Sequence, residues 1–114
     1  MANRNIEQQR AVAKAELDDL LARGLVRPVL LFPEMFGGTD DPRNVTYLPP
    51  VCIEEKEQFD QLVENELERV EPIRYTATPT YEGPSMVPAS ITLTAQGPGL
   101  DMVHVIEVGP HKIW

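Results

Sequence analysis

Residues 27–44 read RPVLLFPEMFGGTDDPRN, and how this stretch folds decides what the rest of the chain can be. Its first part predicts a strand over residues 25–32. Pro28 interrupts it and restricts that strand to a sheet edge or a bend, because proline has no N–H to give a ladder. Residues 37–42 then predict a loop on glycine, aspartate and proline content. Gly37 and Gly38 are expected to take backbone angles that a Cβ forbids. Asp40 and Asp41 are expected to open the turn by accepting bonds from nearby backbone N–H groups, although their oxygens are also of the kind that bind cations. Asn44 is expected to bond across it. The strand before this turn carries no histidine, cysteine or serine, so the turn stands beside a segment without obvious chemistry.

Toward the N-terminus, residues 5–23 predict a helix. Ile6, Ala13, Leu17, Leu20 and Leu21 fall close to one face, and Gly24 follows the last periodic residue as a helix-ending glycine does. Toward the C-terminus, residues 45–48 form a short extended segment closed by Pro49 and Pro50. Residues 53–70 predict a second helix, with Phe59, Leu62, Val63, Leu67 and Val70 recurring at helical spacing. Glu54, Glu55, Glu57, Asp60, Glu64, Glu66 and Glu68 give it a dense acidic face. Beyond it, Ile73, Tyr75 and Ala77 alternate with Arg74, Thr76 and Thr78, and Ile91, Leu93 and Ala95 alternate with Thr92 and Thr94, the period of half-buried strands. A final strand over residues 102–108 has apolar residues on both parities, which predicts a central strand covered on both sides. The fold class is therefore α+β. It is read as one domain over residues 1–114: a helix to 24, a strand–loop–helix unit over 25–70, and antiparallel sheet over 71–114.

The chain has 114 residues, 42% of them hydrophobic and 25% charged, which fits a globular domain with one modest core. Ten lysines and arginines face eighteen carboxylates, a formal net charge of −8. Neutralising a phosphate backbone needs cations, so this balance disfavours nucleic acid and favours a partner with a basic protein surface, or a metal ion. One cysteine, Cys52, excludes an internal disulfide and reads as a small apolar side chain ahead of the second helix. No run reaches the roughly 20 apolar residues of a membrane span, and the polar start of the chain predicts a cytoplasmic protein without membrane contact. Of the two histidines, His104 shares strand parity with Met102, Ile106 and Val108 and reads as a satisfied structural residue, while His111 reads as a surface residue. No phosphate loop, dinucleotide fingerprint or nucleophilic serine motif is present.

Residues 74–83, RYTATPTYEG, and residues 87–95, VPASITLTA, complete a pattern that begins at FGGTDDPRN, residues 36–44. In this order the pieces resemble the bacterial DNA/RNA non-specific endonucleases of the ββα-metal type, including those used as toxin domains. Those enzymes carry Asp-Arg-Gly-His on a strand, a turn with two glycines and an asparagine, and a metal-holding helix. A Thr-Pro-x-Tyr-x-Gly strand and a strand after a Val-Pro pair come next. The resemblance covers residues 27–108. It implies a strand–turn–helix finger, with helix 53–70 similar to the metal helix and Asp60 similar to a helix carboxylate of the family.

The chain departs from the family where the chemistry sits. Counting back from the two glycines, the Asp-Arg-Gly-His slot holds Arg27, Pro28, Val29 and Leu30. Leucine accepts no proton, so the water-activating base is missing. No metal-helix asparagine is evident in residues 52–57, and one carboxylate does not make a hydrolytic magnesium centre. The expectation is a non-catalytic protein-binding domain on a nuclease-like scaffold, without metal or cofactor. An immunity or accessory protein of a bacterial toxin system is one version of it. Its binding face would comprise Glu54, Glu55, Glu57, Asp60 and Glu64. The alternative is a metal-dependent nuclease with relocated residues His104, Asp60 and Asp41, which would require Mg²⁺. A third reading is self-association into a homodimer, through strand edges near Pro28 or the apolar residues Ile113 and Trp114.

Overall fold

In the computed structural model the described residues are 2–109, with side chains in the first helix from residue 8 onward. The expectations for the Ile6 side chain and for His111, Ile113 and Trp114 fall outside them. Helix α1 spans Ala2–Ala22. Ala13, Leu17 and Leu20 form its buried stripe, as their spacing predicts. Its end is set by Gly24 at φ +71°. The Gly24 N–H donates to the Leu21 carbonyl at 3.1 Å, and the Leu25 N–H to that of Leu20 at 2.9 Å. This paired arrangement satisfies the last carbonyls of a helix and requires a left-handed residue.

Strand β1 (Arg27–Leu30) pairs antiparallel with β2 (Val45–Leu48), from Arg27 opposite Leu48 to Leu30 opposite Val45. Both strands of a two-stranded sheet are edges, which is where Pro28 is tolerated. Helix α2 follows at once, spanning Pro50–Glu66. The strand–turn–strand–helix order is therefore present. The predicted boundaries of the helix are corrected at both ends. Pro50 occupies its first turn, where a fixed φ suits a helix and no N–H is needed. Cys52 thus lies inside the helix, fully buried, and residues 67–69 are turns rather than helix.

The second sheet has the order β3–β4–β5, with β3 at Arg74–Thr80, β4 at Ser90–Gly97 and β5 at Leu100–Glu107, all antiparallel. Ile91, Leu93 and Ala95 of β4 are fully buried, as their alternation predicts. The expectation for the last strand is overturned: β4 is the central strand and β5 an edge. The two apolar parities of β5 have different surroundings, since Ile106 is buried while Val103 and Val105 stand on the exposed face. Pro98 and Gly99 join β4 to β5. Pro98 cannot take a positive φ, so the left-handed position falls to Gly99 at +73°.

Leu17 and Leu20 of α1, Leu48 of β2, Phe59 and Val63 of α2, and Ile91, Leu93 and Ile106 of the second sheet belong to one buried cluster. Each fully buried aliphatic side chain there contributes about 1.5–3 kcal/mol. Among the described residues, no helix is long and apolar enough to cross a membrane.

Candidate functional site

The loop between β1 and β2 is built by three residues with different jobs. Gly37 ends a short 3-10 turn (Glu34–Phe36) at φ +99°, a left-handed angle costing most residues about 1–2 kcal/mol. Gly38 serves otherwise than expected, since its φ lies outside the left-handed region. A Cβ there would fall 1.8 Å from the Phe32 carbonyl oxygen, so what the position requires is the absence of a side chain. Asn44 fastens the loop. Its Oδ1 accepts from the Phe32 N–H at 2.8 Å, and its Nδ2 donates to the carbonyls of Phe32 at 3.0 Å and Thr39 at 2.9 Å. The backbone adds a rung from the Leu31 N–H to the Asn44 carbonyl at 2.8 Å. The expected cross-turn bond is thus a continuation of the β1–β2 ladder by a side-chain amide.

Asp41 caps a second 3-10 turn (Pro42–Asn44) by accepting from the Arg43 N–H at 2.9 Å and pairing with its guanidinium at 3.1 Å. The Arg43 side-chain bond, then the backbone bond, holds the Asp41 carboxyl below its ordinary value. Asp41 therefore opens a turn, as its sequence setting predicts. Asp40 is exposed and lines an open groove with Tyr47 and Tyr81.

Helix α2 presents Cys52, Lys56, Phe59, Asp60 and Val63 inward. Lys56 is 1% exposed and Asp60 4%. The Lys56 ammonium donates to Asp60 Oδ2 at 2.7 Å, and the Tyr75 hydroxyl of β3 donates to Oδ1 at 2.5 Å. The Lys56 nitrogen also stands 5.6 Å from the centre of the Tyr75 ring, within the range of a cation–π contact. Burial pulls the Lys56 ammonium below its ordinary value, opposed by the bond to Asp60 and the charges of Asp60 and Glu57. Burial first, and then the bond to Asp60 and its charge, pushes the Tyr75 phenol far above its ordinary value. Asp60 is therefore corrected as a member of the exposed acidic face: it is a core group locking α2 to β3. Leu62, expected on the apolar face, is 54% exposed, and Lys56 and Asp60 occupy the inward positions instead.

The remaining candidates separate. Glu55 Oε2 lies 2.6 Å from His104 Nε2, and the His104 ring stacks on Phe59 at 6.3 Å between centroids. His104 thus ties β5 to α2 through both contacts. Glu54, Glu57 and Glu64 are exposed and make no hydrogen bond or ion pair among the described residues. His104, Asp60 and Asp41 each bond to a different partner. No group of three His, Cys, Asp or Glu side chains able to hold a metal occurs among the described residues. Each Asp60 oxygen accepts one hydrogen bond, Oδ2 from the Lys56 ammonium and Oδ1 from the Tyr75 hydroxyl.

Leu30 lines one hollow with this pair. With Val29, Met35 and Ile53 it lines a hollow of about 230 Å³ that also meets Lys56 and Asp60, with the exposed carboxylates of Glu34 and Glu57 beside it. Met35 also borders a second hollow of about 290 Å³, lined by Phe32, Phe36, Val63, Leu67 and Tyr75. The rings of Phe32, Phe36 and Tyr75 meet there at centroid distances of 5.4–6.2 Å. Sequence reasoning missed Lys56 and Tyr75. The signal for Lys56 was its phase: it falls on the stripe of Cys52, Phe59 and Val63, where a solvated lysine does not belong.

No protein-family model, curated protein or solved structure matches this chain.

Proposed function

We propose that this chain is a non-catalytic, cytoplasmic protein-binding domain on a nuclease-like scaffold, and that its partner presents a basic surface. The single observation that carries the reading is the buried Lys56–Asp60 pair, which lines one hollow with Leu30. The resemblance puts a water-activating histidine at residue 30 and a helix carboxylate at Asp60. This chain has a hydrocarbon at the first position, and at the second a carboxylate neutralised by its own ammonium 2.7 Å away. Leu30 has no atom that accepts a proton from water, and Asp60 already has an ammonium as its counter-ion. The exposed Glu54, Glu57 and Glu64 of α2 supply the attraction to a cationic partner, in a chain of net charge −8. Such complementarity mainly raises association rate and specificity. An immunity or accessory role in a bacterial toxin system is the version in which the partner is a cationic nuclease.

Two measurements test this. Incubating purified protein with plasmid DNA and with RNA in Mg²⁺ or Mn²⁺ is expected to leave both intact; cleavage that disappears in His104→Ala would overturn the reading in favour of an enzyme. Binding to a cationic nuclease domain is expected to weaken steeply with salt and to be lost in the triple variant Glu54→Lys, Glu57→Lys, Glu64→Lys.

A further inference from the structure

We propose that the two hollows on either side of Met35 form one docking groove, which receives a bulky apolar side chain from a partner segment flanked by lysine or arginine. The inference rests on the basic-partner reading and names the place and chemistry of the contact. Phe32 is 39% exposed and Met35 53% exposed, side by side on the segment that leaves β1. Aromatic residues and methionine are the types enriched at protein interfaces, and the flexible thioether of Met35 can re-pack around an incoming group. The larger hollow, about 290 Å³, exceeds the roughly 150 Å³ that suffices to take up benzene. It is near the lower limit of about 300 Å³ for a small-molecule pocket, so its volume suits one phenyl or leucyl side chain.

Charge selects what flanks that side chain. Glu34 and Glu57 border the smaller hollow, and neither is neutralised by an ion pair among the described residues. Lys56 also lines that hollow, but its side chain is 2% exposed and its charge is matched by Asp60 at 2.7 Å. An anchor with neighbouring carboxylates would be repelled at this rim, and one with neighbouring cations would be held. Burying its phenyl group is expected to contribute at least about tenfold in affinity.

The test uses ¹⁵N-labelled protein titrated with two peptides, Lys-Arg-Phe-Leu-Arg-Lys and Lys-Arg-Ser-Ser-Arg-Lys. The first is expected to bind at least about tenfold more tightly, and to shift the amides of Met35, Phe36, Val63 and Tyr75. Met35→Glu adds charge of the attractive sign while spoiling the apolar surface, and is expected to weaken the first peptide by about tenfold. Equal binding of both peptides, with shifts confined to α2 around Glu54, Glu57 and Glu64, would remove the groove and keep the basic-partner reading. Unchanged or stronger binding of the first peptide by Met35→Glu would also remove the groove. Shifts with neither peptide would overturn both.

Discussion

Two carboxylate–cation pairs sit close in sequence and far apart in environment. Lys56 and Asp60 pair at 2.7 Å with side chains 2% and 5% exposed, whereas Arg43 and Asp41 pair at 3.1 Å with 91% and 41% exposed. The charges are alike, but what they hold differs. The buried pair joins α2 to β3 through Tyr75, and losing one partner strands a charge without water. The exposed pair decorates a turn whose shape is set by Gly37, Gly38 and Asn44. Ion pairing is thus structural in one region and incidental in the other.

The largest effect that could break this contrast is at Lys56. Lys56→Ala leaves Asp60 buried beside a hydroxyl alone, and is expected to cost about 3–5 kcal/mol in urea unfolding. Replacing the whole network, with Lys56→Met, Asp60→Leu and Tyr75→Phe together, is expected to recover most of that loss, since apolar isosteres of a buried ion pair are often neutral or stabilising. A triple variant as unstable as Lys56→Ala would show that the charges themselves, and not merely their mutual compensation, hold the interface.

The turn gives the next largest effect. Gly38→Ala drives a Cβ to within 1.8 Å of the Phe32 carbonyl oxygen, and is expected to cost about 3 kcal/mol or more. Gly37→Ala meets no neighbouring atom and pays only for its left-handed angle, about 1–2 kcal/mol. Thermal melts that rank the two the other way would mean the loop moves away from Phe32.

Alkaline titration offers a smaller and sharper test. Folding raises the affinity of Tyr75 for its proton, so from about pH 10 upward the folded state binds more protons and stability falls as pH rises. Folding lowers the proton affinity of Lys56, so on its own that group would make stability rise as pH climbs toward 10.5. The two groups act in opposite directions, and Tyr75→Phe is expected to remove the alkaline loss that begins near pH 10. An unchanged loss in that variant would assign it to other groups. At the bottom of the scale, Arg43→Ala is expected to leave the unfolding midpoint unchanged, because the Asp41 carboxylate keeps its bond to the backbone N–H and exposed pairs contribute little.

How far the fold was legible follows from which signals are local. Ala13, Leu17 and Leu20 announced α1 by spacing alone, and Ile91, Leu93 and Ala95 announced the buried face of β4. Asn44 was readable as a cross-turn residue because its partners lie in the same hairpin. The role of β5 was not readable: Val103 and Val105 look like core residues until the sheet order puts them on an open face. Asp60 misled for a related reason. An aspartate four residues after a lysine is the pattern of a solvated helix surface, and only the tertiary placement of Tyr75, fifteen residues on, makes it a core group. The acidic exterior of α2 was legible, but Leu62 within it was not, because Asp60 and Lys56 rotate the helix away from its most hydrophobic arc. The groove beside Met35 left no pattern at all, being formed by the ends of elements that meet only in three dimensions.

The whole hairpin depends on the single side-chain amide of Asn44. Its nitrogen lies between two carbonyl oxygens, those of Phe32 and Thr39. Hydrolysis to aspartate exchanges that one NH₂ for oxygen and turns two attractions into two repulsions. An aspartate at residue 44 would then loosen β1 from β2 while α2 and the second sheet stay intact.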